Sequence, residues 1–141
     1  MNMWWIYALL SAVFASLTAI FAKIGVKHID SDLATAIRTV VVLILAWSIA
    51  LFKGVIPTLQ GFNKQNWLFL ILSGCATGLS WLFYFKALQI GKVSQVAPVD
   101  KLSVALTIVL SVIFLKESVT FKDAIGALLI IGGTFVLILK P

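Results

Sequence analysis

The sequence predicts an all-α integral membrane protein with five transmembrane helices, and three observations carry that reading. Of the 141 residues, 62% are hydrophobic and only 11% are charged, with a mean hydropathy of +1.12. Nearly all the charges lie at the margins of apolar runs. Five of those runs reach the length of about 20 residues that a helix needs to cross hydrocarbon at about 1.5 Å rise per residue. They cover about 4–22, 33–52, 67–90, 93–115 and 121–139. Helix is the required element, because an open chain in lipid leaves its backbone amides unpaired.

The first run sorts its side chains around a helix. Ile6, Leu10, Val13, Leu17, Ile20 and Ile24 fall on one stripe, which is the lipid face, and Ser11, Ala15, Thr18 and Ala22 lie opposite with Ala12, Ser16, Ala19 and Lys23 alongside. Met1-Asn2-Met3 leads directly into Trp4 without a basic stretch, so the run reads as a retained helix and not a signal peptide. Residues 25–32 form a loop with Lys27, His28, Asp30 and Asp32, in which His28 has no visible companions for a metal site.

The second run places Arg38 one to two turns from its start, near the small stripe Thr35, Thr39, Ala46 and Ala50. A charge at the centre of a membrane helix costs about 2.5–3.5 kcal/mol on insertion scales, so Arg38 should meet water, a partner or a headgroup. Gly54, Pro57 and Gly61 argue against a continuous helix between Lys53 and Asn66, and Trp67 marks the next interface.

The third run carries the densest polar stripe: Ser73, Thr77, Ser80, Tyr84 and Ala87, adjoined by Gly74, Gly78, Trp81 and Phe85. Gly74 and Gly78 form a GxxxG pair suited to close helix packing, with Ser73 and Thr77 bonding back to their own helix. Trp81 and Tyr84 are large amphipathic rings beside small residues, which can line a cavity and hold a solute, and Ser80 adds a hydroxyl there. Lys86, near the helix end, reads as a cation reaching the interface or pairing with an acid. Only Gly91 and Lys92 separate this run from the fourth, so the two must run antiparallel.

In the fourth run Pro98 breaks the helical ladder or starts a new helix and frees carbonyls. Asp100, Ser103, Thr107 and Ser111 then share a face, and Lys101 lies around the helix. Asp100 is the one acid well inside a span. It should pair with Arg38, Lys86 or Lys101, or take up a proton. Thr120 and Asp123 have the spacing of a capping box for the fifth run, whose Gly126 and Gly133 share a face fit for helix association.

The formal net charge of +6 does not indicate nucleic acid, because the basic residues stand singly. Across five spans the flanking lysines balance: Lys53, Lys64, Lys116 and Lys122 on one side, Lys27, Lys92, Lys140 and nearby Lys23 on the other. Such balance gives little preference for orientation, so the chain is expected to insert both ways. The single cysteine, Cys75, reads as a small packing residue, and one His, one Cys and no triad or metal spacing exclude an enzyme, a metal and a cofactor from the expectation.

The run SGCATGLSWLFYFKALQIGKVSQVAPVDKLS, followed by IFLKE and AIGALLIIGGTFVLIL, resembles the EamA family of the drug/metabolite transporter superfamily in its single-repeat, five-helix form. The motifs that carry the resemblance are YxxALxxG at Tyr84–Gly91, then Pro98, Leu-x-Glu at Leu115–Glu117 and the glycine-bearing last helix. It implies one half of a ten-helix transporter, completed by an antiparallel second copy, in a bacterial or archaeal inner or plasma membrane. The small multidrug resistance relatives use an acid in the first helix. This chain has Lys23 and no acid there, which turns the expectation from cationic drugs to a zwitterionic or anionic metabolite or drug-like solute.

The expected function is therefore secondary active transport, in the direction of export, with alternating access in an antiparallel homodimer. Trp81, Tyr84, Ser80, Arg38, Ser103 and Thr107 are the expected substrate-binding residues, Asp100, Lys101 and Lys86 the proton or ion-pair group, and Gly74, Gly78, Gly126 and Gly133 the packing positions. Two other readings stay open: a carrier of a lipid-linked anionic headgroup, and a non-transporting membrane partner subunit.

Overall fold

The computed structural model describes residues 3–139, so Met1, Asn2 and Lys140, which the sequence reading used, lie outside the described residues. In chain order the elements are α1 (Trp4–Gly25), α2 (Ser31–Phe52), a short 3-10 helix (Ile56–Gly61), α3 (Lys64–Ile90), α4 (Val93–Asp100), α5 (Leu102–Leu110) leading into a π-turn (Ser111–Leu115), and α6 (Phe121–Ile138). Among the described residues there is no strand, and five stretches are long and apolar enough to cross a membrane, with Val93–Leu115 counted as one.

The ends of the helices follow from local chemistry. The α2 start falls before the apolar run because Asp30 caps it: its carboxylate accepts the backbone N–H groups of Asp32 at 2.9 Å and Leu33 at 3.1 Å. The loop expected over residues 25–32 shrinks accordingly, since α1 also runs on to Gly25. After α2 the chain turns through Gly54, whose φ of +64° favours a residue without Cβ. Thr120 and Asp123 form the capping box of α6, with Thr120 N donating to Asp123 Oδ2 at 2.8 Å.

The fourth span is broken, and the break falls beyond Pro98. The proline lies inside α4, and Lys101 N is shared between Ala97 O at 3.3 Å and Pro98 O at 3.1 Å. Mixed i−3 and i−4 bonding loosens the ladder at that point, and α5 starts afresh at Leu102. At its far end the span closes in the π-turn and Lys116 takes a left-handed conformation with φ of 55°.

The chain forms two compact units. One is Phe21–Gln89, and its core lies where the end of α1, the start of α2 and the end of α3 bring Val26, Ser31, Ala34, Thr35, Phe85 and Leu88 out of solvent. The other comprises the chain up to Ile20 and from Ile90 onward, in which α4 and α5 pack on α6. There Thr134 is buried and its hydroxyl donates to Ile130 O at 2.8 Å and Pro98 O at 3.2 Å, tying α6 to α4 just before the break.

Candidate functional site

Arg38 stands two turns into α2, and Trp81 and Phe85, one turn apart, share a face of α3. The guanidinium carbon lies 4.3 Å from the Trp81 ring centroid and 5.1 Å from that of Phe85. Tyr84 meets Phe85 edge-on, with centroids 6.4 Å apart and planes at 70°. The rings attract the cation through their negative faces. Phe85 is only 2% exposed, whereas Arg38, Trp81 and Tyr84 are half-buried and Ser80 is exposed.

Among the described residues the guanidinium makes no hydrogen bond and no ion pair. Its rigid fork of N–H donors is the group in this site best matched to a carboxylate, which it can hold through two parallel bonds. The hydroxyls nearby differ from it in this respect. Thr35 and Thr39 donate back to Ser31 O and Thr35 O, both at 2.8 Å, and Thr77 to Ser73 O at 2.9 Å, as small polar residues in membrane helices do.

A second polar cluster closes one end of the same unit. Lys23 Nζ donates to the carbonyls of Leu88 and, at 3.5 Å, Gln89, at the C-terminal end of α3. The Gln89 side chain reaches the other way, donating through Nε2 to Ile29 O at 2.9 Å and Val26 O at 3.4 Å, while its Oε1 accepts from Lys86 Nζ at 3.5 Å. A cation on the last carbonyls of α3 also complements the helix dipole.

With five apolar spans and this cation in hand, comparison with known proteins decides the family. A family model described as the EamA-like transporter family matches residues 2–139. The chain belongs to that family. A curated relative named "Uncharacterized transporter in cobO 3'region" from a Sinorhizobium species is 46% identical over 134 residues, covering 95% of this chain and 95% of its own. An uncharacterized protein of Methanocaldococcus jannaschii is 34% identical over 132 residues, covering 94% of this chain and 93% of its own. No solved structure matches. The chain is thus a multi-pass membrane protein and a transporter of the drug/metabolite kind.

In this EamA-like chain the residues singled out from sequence divide between the two units. Arg38, Trp81, Tyr84, Ser80 and Lys86 lie in Phe21–Gln89, and Asp100, Lys101, Ser103 and Thr107 in the other. Asp100 Oδ2 pairs with Lys101 Nζ at 3.4 Å. The two stand side by side where α4 gives way to α5. Thr107 donates to Ser103 O at 2.8 Å, and Lys86 goes to Gln89. At Gly74, Gly78, Gly126 and Gly133 an added Cβ would meet no atom of another helix within 4 Å among the described residues, so the close approach those glycines permit is not made there.

Two residues with contacts at this site are not indicated by the sequence. Phe85 was set beside the polar stripe but not assigned a role, and Gln89 was not singled out at all. Both fall at unspecified positions of the YxxALxxG pattern, so the motif carries no signal for either, and only the packing of α1 and α2 against α3 reveals their contacts.

Proposed function

We propose that this EamA-like chain is a secondary transporter of a small anionic or zwitterionic solute, with Arg38 on the Trp81 and Phe85 rings as the group that receives the solute's carboxylate. The observation that carries this is the guanidinium held by aromatic faces and by no acid among the described residues. Energies point the same way. An arginine at the centre of a membrane helix costs about 2.5–3.5 kcal/mol on insertion scales, Arg38 lies short of the centre, and cation–π contact offsets about 0.5–2 kcal/mol. An anionic partner would stabilise the buried charge further.

Tyr84 and Ser80 border the solute on α3, and in the other unit Ser103 and Thr107 give the broken fourth span a polar face of its own. Asp100 exchanges a proton or trades its partner Lys101 during the cycle. Broken membrane helices place such groups where transporters bind their cargo. Two copies in opposite orientation would complete the site and give alternating access. Balanced flanking lysines and open glycine faces on α3 and α6 support that pairing. Relatives from a bacterium and an archaeon, each matched over nearly its whole length, support a place in the cell membrane of such organisms. The role proposed is transport without chemical conversion of the solute, and its direction is export.

One observation favours a second reading, transfer of a lipid-linked anionic headgroup. An apolar groove lined by Ala46, Trp47, Ala50, Val55, Ile56 and Leu59 offers no polar side chain to a water-soluble solute but suits an acyl chain. Uptake assays on the purified chain in liposomes separate the readings. Saturable transport of labelled amino acids or carboxylates, with organic cations excluded, is the result expected. Movement of a fluorescent anionic lipid alone would favour the second reading, and transport of cations alone would refute the first.

A further inference from the structure

Burial in the unit Phe21–Gln89 is concentrated at one end. Val26 is 1% exposed, Ser31 1%, Phe85 2% and Leu88 0%, whereas Val41, Leu43 and Leu45 in the middle of α2 and Leu68–Leu72 on α3 are all more than half exposed. The closed end is also the tied end. Lys23 from α1 caps the final carbonyls of α3, and Gln89 from α3 caps the carbonyls that follow α1. Each helix end thus supplies the partner that the other lacks.

This closed end forms the floor of the Arg38 site. Phe85 belongs to both: its ring lies 5.1 Å from the guanidinium, and its side chain is buried with the plug. On the other side of Arg38, toward the middle of the span, Ser73, Thr77 and Ser80 are exposed on α3. An approaching solute would meet Arg38 from that open half and be stopped by Phe85, Leu88 and Val26.

We propose that the reciprocal Lys23–Gln89 clasp is a gate, which seals the solute path at the α1–α2 loop end and opens by releasing these side chain to carbonyl bonds. The proposal rests on the transport reading, and it adds which residues hold the path shut. The bonds suit a reversible seal. They join side chains to backbone carbonyls, which water can replace when the end opens, and they are few, so a modest difference in solute affinity between two states can shift the balance. A permanent tie that only fixes the fold would instead stay closed in every state.

The test is thiol accessibility of the full chain in nanodiscs, where a water-soluble maleimide reaches both faces whatever the insertion. In a Cys75→Ser background, Thr35→Cys reports the space beneath the clasp, since Thr35 is 5% exposed, and Ser80→Cys reports the open half. The clasp predicts slow labelling at Thr35→Cys and fast labelling at Ser80→Cys. Adding Gln89→Ala should speed the former at least tenfold and leave the latter unchanged, and Lys23→Arg, which still caps α3, should keep it slow. If Gln89→Ala does not fold, Gln89→Glu, which sets a carboxylate against the Val26 and Ile29 carbonyls, gives the same reading. An unchanged Thr35→Cys rate in the folded variants overturns the gate. Because labelling requires no transport, loss of the gate leaves the transport reading standing, and a gate that opens in a chain that moves no solute refutes the transport reading alone.

Discussion

The Arg38 guanidinium lies 4.3 Å from the centroid of the Trp81 ring, across the interface between α2 and α3. The contact settles how a cation is kept two turns inside a membrane helix without an acid beside it. Aromatic faces hold the charge while leaving the N–H edges of the guanidinium available, which an Asp or Glu partner would not. In the reading proposed above, such a site would favour an anion over a cation.

The Asp100–Lys101 pair gives a prediction about coupling. With Asp100→Asn the pair loses its carboxylate, so on the proposed coupling role transport should become insensitive to pH and uphill uptake driven by a proton gradient should fall at least tenfold, while exchange of solute across the membrane continues. Proteoliposome uptake with and without an imposed pH gradient measures both. Full, pH-dependent uptake by Asp100→Asn would remove Asp100 from the coupling.

Asp30 predicts an acid-labile helix start. Accepting the N–H groups of Leu33 and Asp32 holds its carboxyl below the usual aspartate range, with Lys86 assisting. A carboxyl whose pKa is lowered by folding stabilises above the unfolded value, and that contribution is lost as pH falls through the folded one. Amide exchange at Asp32 and Leu33 should therefore stay slow at neutral pH and accelerate relative to mid-α2 amides in acid. Asp30→Asn, which still accepts, should abolish that pH dependence.

How much of this was legible in the sequence depends on range. The five spans, the Thr120–Asp123 capping box and the return of Thr77 to Ser73 O follow from periodicity and spacing within one helix, and local physics determines them. The stacking of Arg38 on Trp81 and the reach of Gln89 to Ile29 O depend on how α2 and α1 sit against α3, which no local pattern encodes. The break in the fourth span illustrates both. Pro98 announces it, but the bifurcated bonding at Lys101 and the Thr134 bond to Pro98 O decide where it falls.

Thr134 yields a stability prediction. Interhelical hydrogen bonds in membranes contribute about 0.6 kcal/mol on average and at most about 1.7 kcal/mol. Thr134→Val, which keeps the shape and removes the bond to Pro98 O, should lower unfolding free energy in detergent titrations by an amount in that range, and Thr134→Ser should retain most of it.

Antiparallel pairing predicts a mixed topology. Paired reporters fused after the last helix, in cells making this chain alone, should give signal from both sides of the membrane, because the flanking lysines balance. Signal from one side only would remove the antiparallel homodimer and leave either a separate partner inserted the other way or a parallel assembly.

The account stands or falls on an anion reaching Arg38, and Trp81 can report it. A chain with Trp4, Trp5, Trp47 and Trp67 replaced by Phe retains Trp81 as its sole indole beside the guanidinium. Titration with a panel of amino acids and small carboxylates should give a saturable change in its emission for at least one of them. Arg38→Gln should weaken that binding by about 10- to 100-fold, the loss of about 1.5–3 kcal/mol expected for a charge-assisted hydrogen bond. A saturable response that survives Arg38→Gln unchanged, or one given by organic cations and by no carboxylate, would contradict the assignment.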